Sequence, residues 1–275
     1  MPDNKPARSL MRIVAQMAQI GGNAAGGALL LLLSPSGAIL VNAASFLGAA
    51  LVVRFGVGAL AAAGEAMQAS LLHDSLAGIR EVFADHELRR LLLLTWLVPM
   101  FSVAPEALAA PYVAGIGGSR ALVGIWLIAL PIGTIAGDVV GVWRFDSNRQ
   151  RRLVAPMAAA SFVPYLAFFT HPPIAVALPL LAASGFGSLY ALGLDLRVRD
   201  AADDRLFARV MTISSAGLMT LQGLGFALAG AEAQLIGSPA TIVVAGVCGL
   251  AAAAVFGPWR AGQASETIVS SRASA

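Results

Sequence analysis

The sequence predicts an all-α fold, a polytopic transmembrane bundle of about eight helices, and three observations predict it. The first is composition: of 275 residues, 58% are hydrophobic and only 12% charged, with a mean hydropathy of +0.78, whereas soluble domains carry about a quarter charged residues. The second is patterning. Six apolar stretches, 91–113, 121–143, 153–169, 174–194, 210–230 and 240–259, hold few or no charges, and at about 1.5 Å per residue such lengths match a hydrocarbon layer roughly 30 Å thick. The third is charge: with the N-terminus inside, every Lys and Arg except Arg120 falls in a terminal segment or on alternate breaks between spans. Basic residues near span ends stay on the cytoplasmic side. Both termini are therefore expected in the cytoplasm, with the spans in a cytoplasmic (inner) membrane.

Two further spans, 13–33 and 37–53, precede the six. The apolar run behind the basic residues 1–12 is longer than a signal-peptide core of about 7 to 15 residues, so it reads as a retained helix. The chain then divides into two helices (1–55), a linker (56–88), six helices (89–260) and a tail expected to be disordered (261–275). In the linker, Leu72, Leu76, Ile79 and Phe83 recur at helical spacing, with His73, Asp74, Arg80, Glu81 and Asp85 opposite them. That pattern predicts an amphipathic helix along the cytoplasmic interface.

Several classes are excluded. A net charge of +3 and a pI near 9.6 do not point to nucleic acid, because the arginines are spread over the loops. Cys248 is alone, and His73, His86 and His171 do not cluster, so no disulfide, metal site, cofactor or enzymatic centre is expected.

Within the spans, polar residues and helix breakers single out candidate sites. The span 91–113 carries Pro99, Pro105 and Pro111 together with Glu106. Proline removes a backbone donor, so this helix is expected to be kinked or partly broken with its freed carbonyls facing neighbours or a cavity. An ionised carboxylate in mid-membrane costs about 2.5 to 3.5 kcal/mol on insertion scales, so Glu106 should face the bundle interior, water or a partner. Gly133, Gly137 and Gly141 repeat at spacing four and enclose Asp138, followed by a loop with Arg144. Glycines at that spacing let helices approach closely, and an Asp–Arg latch at the helix end would bias a rocking motion by about 1 kcal/mol. Ser184-Gly185-Phe186-Gly187-Ser188, Tyr190 and Gln222 supply flexible or polar wall. The expected substrate lining is Trp96, Met100, Glu106, Ser184, Tyr190 and Gln222; for Trp96 the alternative is an interfacial anchor.

Taken together these residues resemble the major facilitator superfamily, specifically its drug and siderophore exporters of the drug/proton antiporter type. Gly22-Asn23-Ala24-Ala25-Gly26-Gly27 resembles the family's antiporter motif, with Asn23 where that motif has proline. His86-Glu87-Leu88-Arg89-Arg90-Leu91 resembles the end of the connector between halves, Gly133 to Arg152 a degenerate cytoplasmic loop motif, and Arg205 with Arg209 the arginine-rich entry to the eleventh helix. The resemblance implies twelve helices in two halves, of which this chain matches the end of the first and a complete second, lacking four N-terminal helices. It implies alternating-access export of a small amphipathic substrate, with protons as the coupling ion. Expected partners are the lipid bilayer and either a second copy or the missing half. The alternative is a truncated, non-transporting membrane subunit packed against another polytopic protein.

Overall fold

A computed structural model describes residues 21–22, 35–56, 80, 82–202 and 204–258. Among them the chain is helical, with no strand. The helices are α1 (Pro35–Gly56), α2 (His86–Ser102), α3 (Ala104–Ala107), α4 (Ala109–Gly115), α5 (Arg120–Arg144), α6 (Ser147–Ala160), α7 (Val163–Leu166), α8 (Ile174–Gly187), α9 (Tyr190–Ala201), α10 (Asp204–Ile236) and α11 (Ser238–Phe256). A 3-10 turn, Ala167–Thr170, follows α7. Among the described residues six stretches are long and apolar enough to cross a membrane: His86–Ala107, Arg120–Arg144, Ser147–Thr170, Ile174–Ala201, Arg209–Ile236 and Ser238–Phe256. Each overlaps one of the six spans expected from sequence, and they mark an integral membrane protein.

Local chemistry sets the ends of these helices. Asp85 caps α2 by accepting from the Glu87 and Leu88 amides at 2.7 and 3.0 Å, satisfying donors that a helix start leaves open. Asp146 caps α6 through the Arg149 amide at 3.0 Å. Gln150 Nε2 donates back to the Gly141 and Phe145 carbonyls at 2.9 and 3.1 Å, closing the end of α5. The turn after α7 passes through His171 at φ 53°, left-handed backbone that histidine tolerates better than most residues, before Pro172 and Pro173 forbid more helix. Gly237, at φ 82°, reverses the chain into α11, which has proline in its first turn.

The spans pack chiefly in pairs: α5 on α8, α6 on α9, and α2 on both α10 and α11, with α11 also on α6 and α7. Trp126, Phe162, Tyr165, Phe168, Leu92 and Leu181 are fully buried between them. The tightest seam is α5 on α8. A Cβ on Gly133 would meet the Ala182 carbonyl, one on Gly137 the Phe186 carbonyl, and one on Gly185 the Leu130 carbonyl. In lipid, where apolar burial drives little association, such close backbone approach is a main source of attraction.

Contacts across the bundle separate its two ends. Arg90 reaches the Gly257 carbonyl at 3.0 Å and Arg197 the Arg151 carbonyl at 2.9 Å, which ties four span ends in two pairs, three of the ends carrying arginines. At the other end, the Tyr112 hydroxyl donates to the Pro172 carbonyl at 2.8 Å.

The expected span 37–53 falls on helix α1, which is not among the six stretches long and apolar enough to cross a membrane; Leu40, Phe46, Leu47, Val52 and Phe55 are exposed on it. The expected span 13–33, with Asn23, Gly26 and Gly27, lies outside the described residues except for Gly21 and Gly22, which are helical and exposed. Most of the linker and the whole tail also lie outside them. At the linker's end, Val82 is fully buried and Phe83 stacks 5.8 Å from Trp96.

Candidate functional site

Three of the six spans are interrupted near mid-length, and the interruptions meet. The first breaks at Val103 and again at Leu108. Pro105 and Pro111 have no amide hydrogen for the carbonyls of Phe101 and Ala107, so two rungs of the helix ladder are absent. Carbonyls at the break find side chains instead. The Tyr165 hydroxyl donates to the Ser102 carbonyl at 2.9 Å and Trp126 Nε1 to the Pro105 carbonyl at 2.7 Å. The second interruption is Ser161 and Phe162, between α6 and α7, where Ser161 Oγ donates to the Ala158 carbonyl at 2.7 Å. The third is Ser188 and Leu189, between α8 and α9. It lies against the second, since a Cβ on Gly187 would stand 2.7 Å from Ser161 Cα.

Around these breaks Tyr165 and Ser184 form a small buried polar pair, with Glu106 at its exposed edge. Tyr165 is fully buried, Ser184 is buried beside its hydroxyl, and Glu106 lies within electrostatic range of it. Glu106 is exposed and stands at the edge of a crevice of about 20 Å³ lined by Pro105, Trp126, Leu130, Pro131 and Leu181. That space suits one water. Three rings form the outer wall: Tyr112 and Trp126 at 4.6 Å, with Phe168 edge-on at 5.6 and 6.0 Å.

The structure divides the expected substrate lining into two groups. Glu106, Ser184 and the buried Tyr190 belong with the broken helices. Trp96 and Met100 face α10: Trp96 Nε1 donates to the Ser214 carbonyl at 3.0 Å, a Cβ on Gly217 would strike the Trp96 ring, and one on Gly225 would strike the Met100 carbonyl. Trp96 is thus an interhelical clamp. Gln222 lies on the same helix and is half-buried.

The gating residues are placed differently from expectation. Asp138 is 1% exposed and sits in the α5 seam, six residues before Arg144, a rise of about 9 Å from the helix end. Arg144 and Arg209 are exposed. Arg205 belongs to α10, and its side chain lies outside the described residues. An ion pair at this end joins Arg151 and Asp200, Nε to Oδ2 at 2.6 Å and Nη2 to Oδ1 at 3.2 Å, tying the start of α6 to the end of α9. The side chains are 27% and 55% exposed, so solvent screens the pair to about 1 kcal/mol or less. Arg151→Ala should lower the unfolding temperature slightly in low salt, and the difference should vanish in about 1 M salt, where the screening length is roughly 3 Å.

Sequence reasoning missed Tyr165, Trp126 and the Arg151–Asp200 pair. A partial signal existed for the first two: buried Tyr and Trp need a polar partner, and the prolines of the neighbouring span foretell a break, although the carbonyls that the rings reach, at Ser102 and Pro105, are opened by the break and are not the ones the prolines themselves leave unpaired. Compared with protein-family profiles, curated proteins and solved structures, the chain matches none.

Proposed function

We propose that the chain is a secondary active transporter, of the major facilitator exporter type that its motifs resemble, moving small amphipathic molecules out of the cell by alternating access. The observation that supports this reading most is the meeting of three interrupted spans around Glu106, Tyr165 and Ser184. Membrane proteins tolerate irregular backbone at that depth where protein or a cavity surrounds it, and transporters place binding sites at such breaks. The hinges come ready-made: Val103, Ser161 and Ser188 can absorb rotations that carry the two ends of each span in different directions. Glu106, facing a space for one water, is the proton carrier in this reading. The exposed α10 surface beside Trp96, Met100 and Gln222 is the wall toward the substrate. Both termini are cytoplasmic and the membrane is the inner one.

The test is efflux from cells stripped of their major exporters, comparing the 275-residue chain with one extended upstream through any in-frame helices. Glu106→Gln is expected to reduce proton-coupled efflux to background at unchanged protein level. Retained efflux would remove Glu106 from the mechanism.

A second reading rests on α10. Only 11% of the most apolar part of Arg209–Ile236 is buried, against 39–50% for the other five. A non-transporting subunit that covers this face with another polytopic protein would co-purify with that partner and give no flux in either form.

A further inference from the structure

At the basic end of the bundle, α2, α9 and α11 leave a cavity of about 540 Å³ whose walls include Glu87, Arg90, Leu91, Arg197, Phe256 and Pro258. We propose that it seats the phosphate of an anionic phospholipid headgroup, gripped between Arg90 and Arg197, with the acyl chains leaving along the half-buried Phe256 and Pro258. Neither guanidinium is loose. Arg90 Nη2 is held by the Gly257 carbonyl at 3.0 Å and Arg197 Nε by the Arg151 carbonyl at 2.9 Å. Each bond engages one of five guanidinium donors, so the planar forks are positioned before a ligand arrives. Arginine forks match phosphate oxygens in pairs.

The balance of charge favours an anion: the walls carry the guanidiniums of Arg90 and Arg197 and the imidazole of His86 against the carboxylate of Glu87, while behind the cavity Arg151 and Asp200, themselves paired, act on Arg197 with opposite signs. Place favours a lipid over a free ion. The cavity lies at the ends of membrane-spanning helices, its polar wall of Arg90, Arg197 and Glu87 adjoining an apolar wall of Leu91, Phe256 and Pro258. Basic pockets between spans at this level take anionic headgroups. The proposal does not depend on transport.

The test uses the full chain in a neutral detergent, titrated with short-chain phosphatidylglycerol and read as the shift in unfolding temperature. Parallel titrations use phosphatidylcholine of the same chain length and inorganic phosphate. Phosphatidylglycerol should give a saturable rise and the other two none. Arg197→Gln should weaken it about fivefold, the effect of one basic residue near an anionic lipid, and Glu87→Gln should tighten it. Equal effects of the two lipids, or an affinity indifferent to Arg197→Gln, would overturn the proposal. Saturation by inorganic phosphate that displaces phosphatidylglycerol would also overturn it, assigning a free-anion site. Should Arg197→Gln fail to fold, Glu87→Gln still decides, because binding that it leaves unchanged or weakens refutes the electrostatic account.

Discussion

Gly133→Leu should leave no monodisperse folded protein in detergent, whereas Gly223→Leu should behave like wild type. The two glycines lie in comparable apolar spans and differ in surroundings. A Cβ at Gly133 would overlap the Ala182 carbonyl and crowd that residue's Cα, while one at Gly223 meets nothing within 4 Å. Overpacking a rigid core costs typically 1–3 kcal/mol and sometimes more. Here the obstacle is backbone, which has no rotamer to change, and moving it would disturb Gly137 and Gly185, engaged in the same seam. A loss above about 3 kcal/mol is a large share of the roughly 5–15 kcal/mol that holds a typical domain. Size-exclusion profiles and thermal melts of the two variants check this. A Gly133→Leu protein melting within a few degrees of wild type would mean that α5 and α8 are not in backbone contact.

Trp126→Ala should destabilise the bundle by about 3–5 kcal/mol, the usual cost of truncating a large core aromatic, and Trp126→Phe by about 1–3 kcal/mol. The residue is 1% exposed. It acts in two ways: its ring stacks on Tyr112 and meets Phe168, and its N–H satisfies the Pro105 carbonyl. Phenylalanine keeps most of the ring contact but strands the carbonyl, which isolates the desolvation penalty of an unmade hydrogen bond. Thermal unfolding of both variants separates the contributions. Equal melting of Trp126→Phe and wild type would show that water or another donor satisfies Pro105 in its place.

The spans were legible because hydropathy and charge each act over about twenty residues, so small local errors average out. The ends were nearly as plain: Arg120 and Arg144, placed just outside a predicted span, bound α5. The breaks were partly legible. Pro105 and Pro111 forecast the first, but Pro131, Pro156 and Pro179 lie inside unbroken helices, and the third break at Ser188 contains no proline. Whether proline opens a helix depends on what neighbours offer its freed carbonyl, and that is a tertiary fact. For the same reason the Gly133, Gly137 and Gly141 repeat foretold close packing without naming α8, and Asp138, read as the end of a helix, lies within that seam. Trp96 shows the limit most clearly. As a span tryptophan it suggested substrate wall or interface, and its partner proved to be the Ser214 carbonyl, 118 residues away.

That separation governs how the protein can be made. α2 rests against α10 and α11, the last described helices to leave the ribosome. At translation rates of about 5–20 residues per second, the 118 residues between Trp96 and Ser214 take roughly 6 to 24 s to synthesise. During that interval the first of the six spans waits in the insertion machinery or in lipid without its principal neighbours, its carbonyls at Ser102 and Pro105 served only as Trp126 and Tyr165 emerge. The bundle can therefore close around α2 only after α10 and α11 have been made, so the order of synthesis places the first of these spans well ahead of its principal packing partners.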